Sequence, residues 1–135
     1  MELKNGKRNR ELCEKTYALL SDYEGHVCIE SFNPKIVRWF RFHARDLVRG
    51  QLATTVKDYG DSVSKPTAFL LSRCLFNFMS RPQFIAYRIG PRPPLVRLSE
   101  ALGAMKFGWT SHNERAHRGR HAVIFEFYRP QLKIR

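Results

Sequence analysis

Glu2 and Lys4 sit two residues apart in Glu2-Leu3-Lys4 near the start of the chain. In an extended strand, residues i and i+2 face the same way, so the carboxylate and the ammonium project to one side. A carboxylate beside an ammonium suits a site that holds a hard divalent cation and a phosphoryl group: the first ligates the metal, the second neutralises a phosphoryl oxygen. Spacing alone carries this only a short way, because exposed Glu–Lys pairs are commonly solvated. The other chemistry-bearing residues form no such set. No two of His26, His43, His112 and His121 have the i, i+4 spacing of a helical ligand pair. His117-Arg118-Gly119 reads as a polar turn, and Asp58 and Asp61 fall in a polar loop with no evident scaffold. Cys13, Cys28 and Cys74 form no C-x-x-C pair, so they read as buried small hydrophobes in a reducing compartment. No Gly-rich phosphate loop follows a strand, and no nucleophile elbow is present.

The elements that must position Glu2 and Lys4 follow from hydrophobic periodicity. Leu12, Cys13, Thr16, Tyr17 and Leu20 form one stripe of a helix over 8–21. Residues 26–32 read as a buried strand, and Asn33-Pro34 as a helix start with an N-cap and proline at the first position. The following helix places Ile36, Val37 and Phe40 on one side. Residues 47–52 are the next strand, 53–65 a polar loop, and 66–79 a very apolar helix. Residues 84–87 form a short strand. After the loop at 90–94, the helix over 95–104 turns Leu95, Leu98, Ala101 and Leu102 inward. Residues 106–110 and 122–127 are the last strands, with about two helical turns expected between 113 and 119. Strands separated by helices or crossovers predict an α/β protein with a parallel sheet. A further strand is implied at residues 1–4. Its start at the first residue, immediately before a helix, gives the expectation that the chain is a fragment.

The 135 residues are 43% hydrophobic and 13% aromatic, a globular composition. They suffice for one domain, residues 1–135, and are too few for a complete (β/α)8 barrel of about 250 residues. Twenty-four Lys+Arg against twelve Asp+Glu give a formal charge of +12, which favours an anionic partner such as nucleic acid, a phosphate-bearing substrate or an acidic surface. The basic start is followed by Glu11, Glu14 and Lys15 rather than by a signal-peptide core. The longest apolar stretch, Pro66 to Met79, is interrupted by Arg73 and falls short of the about 20 residues that span a bilayer. A cytoplasmic location and no transmembrane segment are expected.

The ordered set of short motifs resembles the glycerophosphodiester phosphodiesterase family. It comprises Glu2-Leu3-Lys4, Val27-Cys28-Ile29-Glu30-Ser31-Phe32-Asn33-Pro34, Val37-Arg38-Trp39-Phe40 and Arg49-Gly50-Gln51-Leu52, then Phe84-Ile85-Ala86-Tyr87, Gly108-Trp109-Thr110 and Ile124-Phe125-Glu126. The resemblance covers essentially the whole chain. It implies TIM-barrel-type parallel strands and helices in an incomplete half barrel, with the site at the carboxyl ends of the strands. It implies hydrolysis of a glycerophosphodiester to glycerol 3-phosphate and an alcohol, with a divalent cation, Mg²⁺ or Ca²⁺. By the same resemblance Glu2 is a metal ligand, Lys4 a phosphate contact and Trp109 a wall of the substrate pocket. The family's His-Arg-Gly motif, Glu-x-Asp pair and second histidine precede Glu-x-Lys, and here only Met1 does. The chain therefore resembles the C-terminal half of such an enzyme and carries no catalytic histidine. The cation then requires ligands outside the chain, and the implied partners are an N-terminal half or a second copy. The isolated chain is expected to be inactive.

Two other classes compete. A nucleic-acid-binding module is suggested by the charge and by Arg38-Trp39-Phe40-Arg41-Phe42, where aromatics alternate with bases. No RRM, KH, zinc-finger or helix-turn-helix pattern accompanies it. A non-enzymatic remnant that needs a partner chain is the third class.

Overall fold

The computed structural model describes residues 1–112 and 118–127. Helix α1 (Asn9–Ser21) buries Cys13 and Thr16 and lines its outer side with the ion pairs Arg8–Glu11, Arg10–Glu14 and Lys15–Glu11. Strand β1 (Cys28–Ser31) leads into α2 (Pro34–His43). There the Asn33 side chain accepts the Lys35 amide at 2.9 Å, so the predicted cap and proline start the helix together. Ile36, Val37 and Phe40 are buried, as their spacing requires. Strand β2 (Val48–Ala53) follows. The expected polar loop instead folds into a 3-10 segment (Val56–Ser62), started by a Thr55/Asp58 capping box and kinked at Gly60.

The apolar run 66–79 is not one helix. It divides into α3 (Lys65–Ser72) and α4 (Asn77–Ser80), because Cys74 between them takes φ 54°. Strand β3 (Phe84–Arg88), helix α5 (Pro94–Ala101), strand β4 (Met105–Ser111) and strand β5 (Ala122–Phe125) complete the order. The last strand ends earlier than expected, where Phe127 adopts φ 65°. The proposed helical turns at 113–119 fall mostly outside the described residues, as does His117; Arg118 and Gly119 form a turn. Cys13 and Cys74 are buried and Cys28 is half-buried; all three are free thiols. Burial first pushes the Cys13 and Cys74 thiols up to about 11 and about 12, which leaves them protonated.

Strands β1-β2-β3-β4-β5 pair in sequence order, all parallel, in a curled half-barrel with helices. Residues 1–3 add to the free edge of β1: Glu2 pairs in parallel with Glu30, through Leu3 N to Glu30 O at 2.8 Å and Glu30 N to Met1 O at 2.9 Å. Alternation along each strand separates two apolar sets. Leu3 and Ile29 pack against α1 and α2, and Ile85 and Tyr87 against Val96 of α5. On the inner face, Cys28, Leu52, Phe84, Ala86, Phe107 and Ile124 meet one another.

Helix α5 corrects one expectation. Val96 is its buried residue, whereas Leu95, Leu98, Ala101 and Leu102 are all exposed. The reason is electrostatic. Arg92, in the loop before the helix, pairs with Glu100 and also donates to the Phe107 carbonyl, and both side chains of the pair are largely buried. Turning Glu100 inward turns the leucines out. Among the described residues no helix is long and apolar enough to cross a membrane.

Candidate functional site

The segment carrying Glu2 and Lys4 is fixed by polar contacts to the β1–α2 turn. The buried Ser31 hydroxyl donates to Leu3 O at 2.7 Å and accepts the Asn33 amide at 3.1 Å. Asn5 Oδ1 accepts from Asn33 Nδ2 at 2.6 Å and from Asn9 Nδ2 at 2.9 Å. These bonds set residues 1–5 beside the carboxyl end of β1. Lys4 Nζ lies 2.7 Å from Glu2 Oε1, with the lysine largely exposed and the glutamate partly covered. The two form an ion pair on one side of the segment, which makes a single isolated bridge at Glu2 rather than the strand expected over 1–4.

Glu30 joins them. It stands opposite Glu2 in the parallel pairing and therefore projects to the same side. Burial raises its pKa above the ordinary carboxylate value; the Glu2 charge adds to this, while the N-terminal ammonium and Lys4 oppose it. The sequence reading missed Glu30. Its signal was a lone carboxylate in the middle of an otherwise apolar strand.

Trp109, near the end of β4, is held by its indole N–H. Nε1 donates to Ala86 O at 3.0 Å and Ala53 O at 3.2 Å, so one side chain ties β4 to both β3 and β2. Its ring meets Phe32 edge-on at 5.8 Å, and Phe32 meets Tyr59 edge-on at 6.2 Å.

Glu2, Lys4, Phe32, Asp58, Tyr59 and Trp109 are among the residues lining a cavity of about 690 Å³; Glu30 does not line it. The three residues singled out from the sequence thus share one cavity. Asp58, for which the sequence reading finds no evident scaffold, is held firmly in the structure. Its Oδ2 accepts from Thr54 Oγ1 at 2.6 Å, Thr55 Oγ1 at 2.7 Å and Arg88 Nη1 at 3.2 Å. The threonine hydroxyls, Thr54 foremost, hold its carboxyl below the usual range, with help from the Arg88 charge. The Thr55-x-x-Asp58 spacing of a capping box was the available signal.

The site offers the Lys4 ammonium and the carboxylates of Glu2 and Asp58 beside an aromatic wall. That suits a ligand with one anionic end and one apolar end. It does not by itself build a metal centre. A hard divalent cation takes six or more oxygen ligands, and no group of three or more His, Cys, Asp or Glu able to hold a metal occurs among the described residues. The described histidines also lie elsewhere: His43 stacks on Trp39 at 4.5 Å, and His121 Nδ1 accepts the Lys106 amide at 2.9 Å. A comparison of the chain with protein-family models and with curated proteins returns no match.

Proposed function

We propose that this chain supplies part of the site of a phosphoric diester hydrolase of the glycerophosphodiester phosphodiesterase type. One observation carries the reading: Glu2, Lys4 and Trp109, widely separated in sequence, line a single cavity where residues 1–5 and the carboxyl ends of the parallel strands meet. In this role Lys4 leaves its pairing with Glu2 to contact a phosphoryl oxygen. Trp109, pinned by its indole N–H, offers a ring to the glycerol or alcohol moiety. Glu2 would contribute a carboxylate oxygen to a Mg²⁺ or Ca²⁺ ion whose remaining ligands would come from another segment or chain. That other part also supplies the two histidines of general acid–base catalysis, which the cavity lacks among the described residues.

The test joins the chain to an N-terminal half bearing those histidines and a Glu-x-Asp pair, and follows metal-dependent release of glycerol 3-phosphate. Glu2→Gln should weaken metal affinity about 10-fold or more, since it removes a charge from a hard-cation site. Lys4→Ala should lower turnover about 10²–10³-fold with metal affinity retained. Parental metal affinity and turnover in Glu2→Gln refute the assignment. The nucleic-acid alternative loses its stacking platform: Phe40 is fully buried and Trp39 is half-buried against His43, which leaves only Phe42 exposed in that segment.

A further inference from the structure

The amino end of the sheet carries charges that the cavity does not use. Arg38, Arg41 and Arg45 recur at helical spacing along α2 and the turn after it, Arg49 is the second residue of β2, and Arg81 follows α4. Two of them are clamped to main chain. Arg41 Nη1 donates to Met79 O at 2.7 Å, and Arg49 Nη2 donates to Arg81 O at 3.2 Å. Among the described residues no carboxylate forms an ion pair with any member of the cluster. Arg49 Nε is buried without an acceptor. The guanidinium groups feel one another: Arg41 is lowered by burial and then by repulsion from Arg81, Arg38 and Arg45, and Arg49 by burial and then by Arg41. Fixed like charges with donors to spare and no ion-paired carboxylate concentrate positive potential and attract phosphate.

Exposed rings flank the cluster. Phe42 is 47% exposed and lies under the guanidinium groups of Arg38 and Arg41, at 5.2 and 4.9 Å from its centroid. Phe78 is 76% exposed and immediately precedes the Met79 carbonyl that Arg41 holds. Cations that meet lipid phosphates, beside apolar rings that enter the boundary between headgroups and acyl chains, make an interfacial contact. A single-stranded nucleic acid needs open ring faces on which to stack, and two guanidinium groups already lie against Phe42. We infer that the α2–α4 face, built from Arg38, Arg41, Arg45, Arg49 and Arg81 with Phe42 and Phe78, binds the phosphate headgroups of an anionic lipid surface. It shares none of these residues with the cavity lining and stands whether or not the cavity serves hydrolysis.

Cosedimentation of the full chain with phosphatidylglycerol–phosphatidylcholine vesicles tests the inference. Pure phosphatidylcholine vesicles, inorganic phosphate and a single-stranded oligonucleotide serve as parallel arms. The chain should partition onto the mixed vesicles, ignore the pure phosphatidylcholine ones, and detach as salt rises from about 0.05 to about 0.5 M. Arg38→Gln with Arg45→Gln, both exposed, should weaken partitioning about 25-fold, at about fivefold per arginine. Phe42→Ser with Phe78→Ser should weaken it while preserving the salt dependence. Equal binding to neutral vesicles overturns the inference, as does undiminished binding by the arginine variant. Complete competition by millimolar inorganic phosphate, or tighter binding of the oligonucleotide than of vesicles, overturns it equally. Thermal melts of each variant separate lost binding from lost folding, and if a variant melts early the salt titration of the parent chain decides.

Discussion

Replacing Gly50 by alanine probes how tightly the inner face of the sheet is filled. Gly50 stands opposite Phe84 in the β2–β3 pairing. A methyl group there would lie 2.0 Å from Cε2 and 2.1 Å from Cζ of the Phe84 ring, well inside ordinary carbon contact of about 3.5–4.0 Å. The ring has little room to retreat. It stacks on Phe107 with centroids 4.4 Å apart and planes 22° apart, and Phe84 is 1% exposed. Two effects compete. Alanine for glycine at a compatible backbone position stabilises by about 0.4–1 kcal/mol through the unfolded chain, whereas overpacking a filled core costs about 1–3 kcal/mol. With this overlap the second wins, and Gly50→Ala should destabilise by about 2 kcal/mol, or about 6–8 °C in Tm. Shortening the ring gives the methyl space, so Gly50→Ala with Phe84→Leu should cost at least about 1 kcal/mol less than the sum of the two single changes. Urea unfolding followed by circular dichroism gives each value from the midpoint at constant slope. A loss below about 0.5 kcal/mol for Gly50→Ala, or simple additivity in the double variant, refutes this packing.

The buried Arg92–Glu100 pair should be intolerant of losing one member. Glu100→Ala leaves a buried guanidinium without counter-charge and should cost about 3–5 kcal/mol in the same unfolding assay; a loss below about 1 kcal/mol refutes its importance. Glu30 gives a pH dependence. Its pKa is raised in the folded state by burial first, so the folded chain binds the proton more tightly than the unfolded one, and stability falls as pH rises from the unfolded value through the folded value. Glu30→Gln should therefore raise Tm at pH 7, with a smaller gain below about pH 4, where the carboxyl is protonated in both states. An equal gain at both pH values in thermal melts points to a cause other than charge.

The parallel order and most of the strands were legible because short apolar runs between turn residues admit few other arrangements. The start of α2 was legible from Asn33-Pro34 alone, since a capping side chain and a fixed proline φ act locally. The face of α5 was not. Periodicity weighs Leu95, Leu98 and Leu102 as core, and it cannot register that Arg92, in a proline-rich loop, draws Glu100 inward. The break at Cys74 was hidden likewise, because no glycine or proline marks the positive φ. At the site, the common side of Glu2 and Lys4 followed from strand spacing; that Trp109 lines the same cavity shows only in the fold. Glu30 gave only the weak signal of a lone carboxylate until its register with Glu2, a non-local pairing, placed it, whereas Asp58 was marked locally by the Thr55-x-x-Asp58 spacing and only its Arg88 partner comes from the next strand.

The sequential strand order also bears on how the chain folds as it leaves the ribosome. Residues 1–3 precede β1, and each later strand pairs with the one made immediately before it. Among the described strands, each one from β2 onward therefore finds its preceding partner already synthesised. The growing edge is always the newest strand, so the sheet can lengthen vectorially, one strand–crossover unit at a time. Because each closure spans a single crossover, its loop-entropy cost rises only slowly with the length of that crossover. A construction that proceeds from the amino terminus limits how long apolar strands stay unpaired, which is the interval in which nascent parallel sheets are most exposed to aggregation.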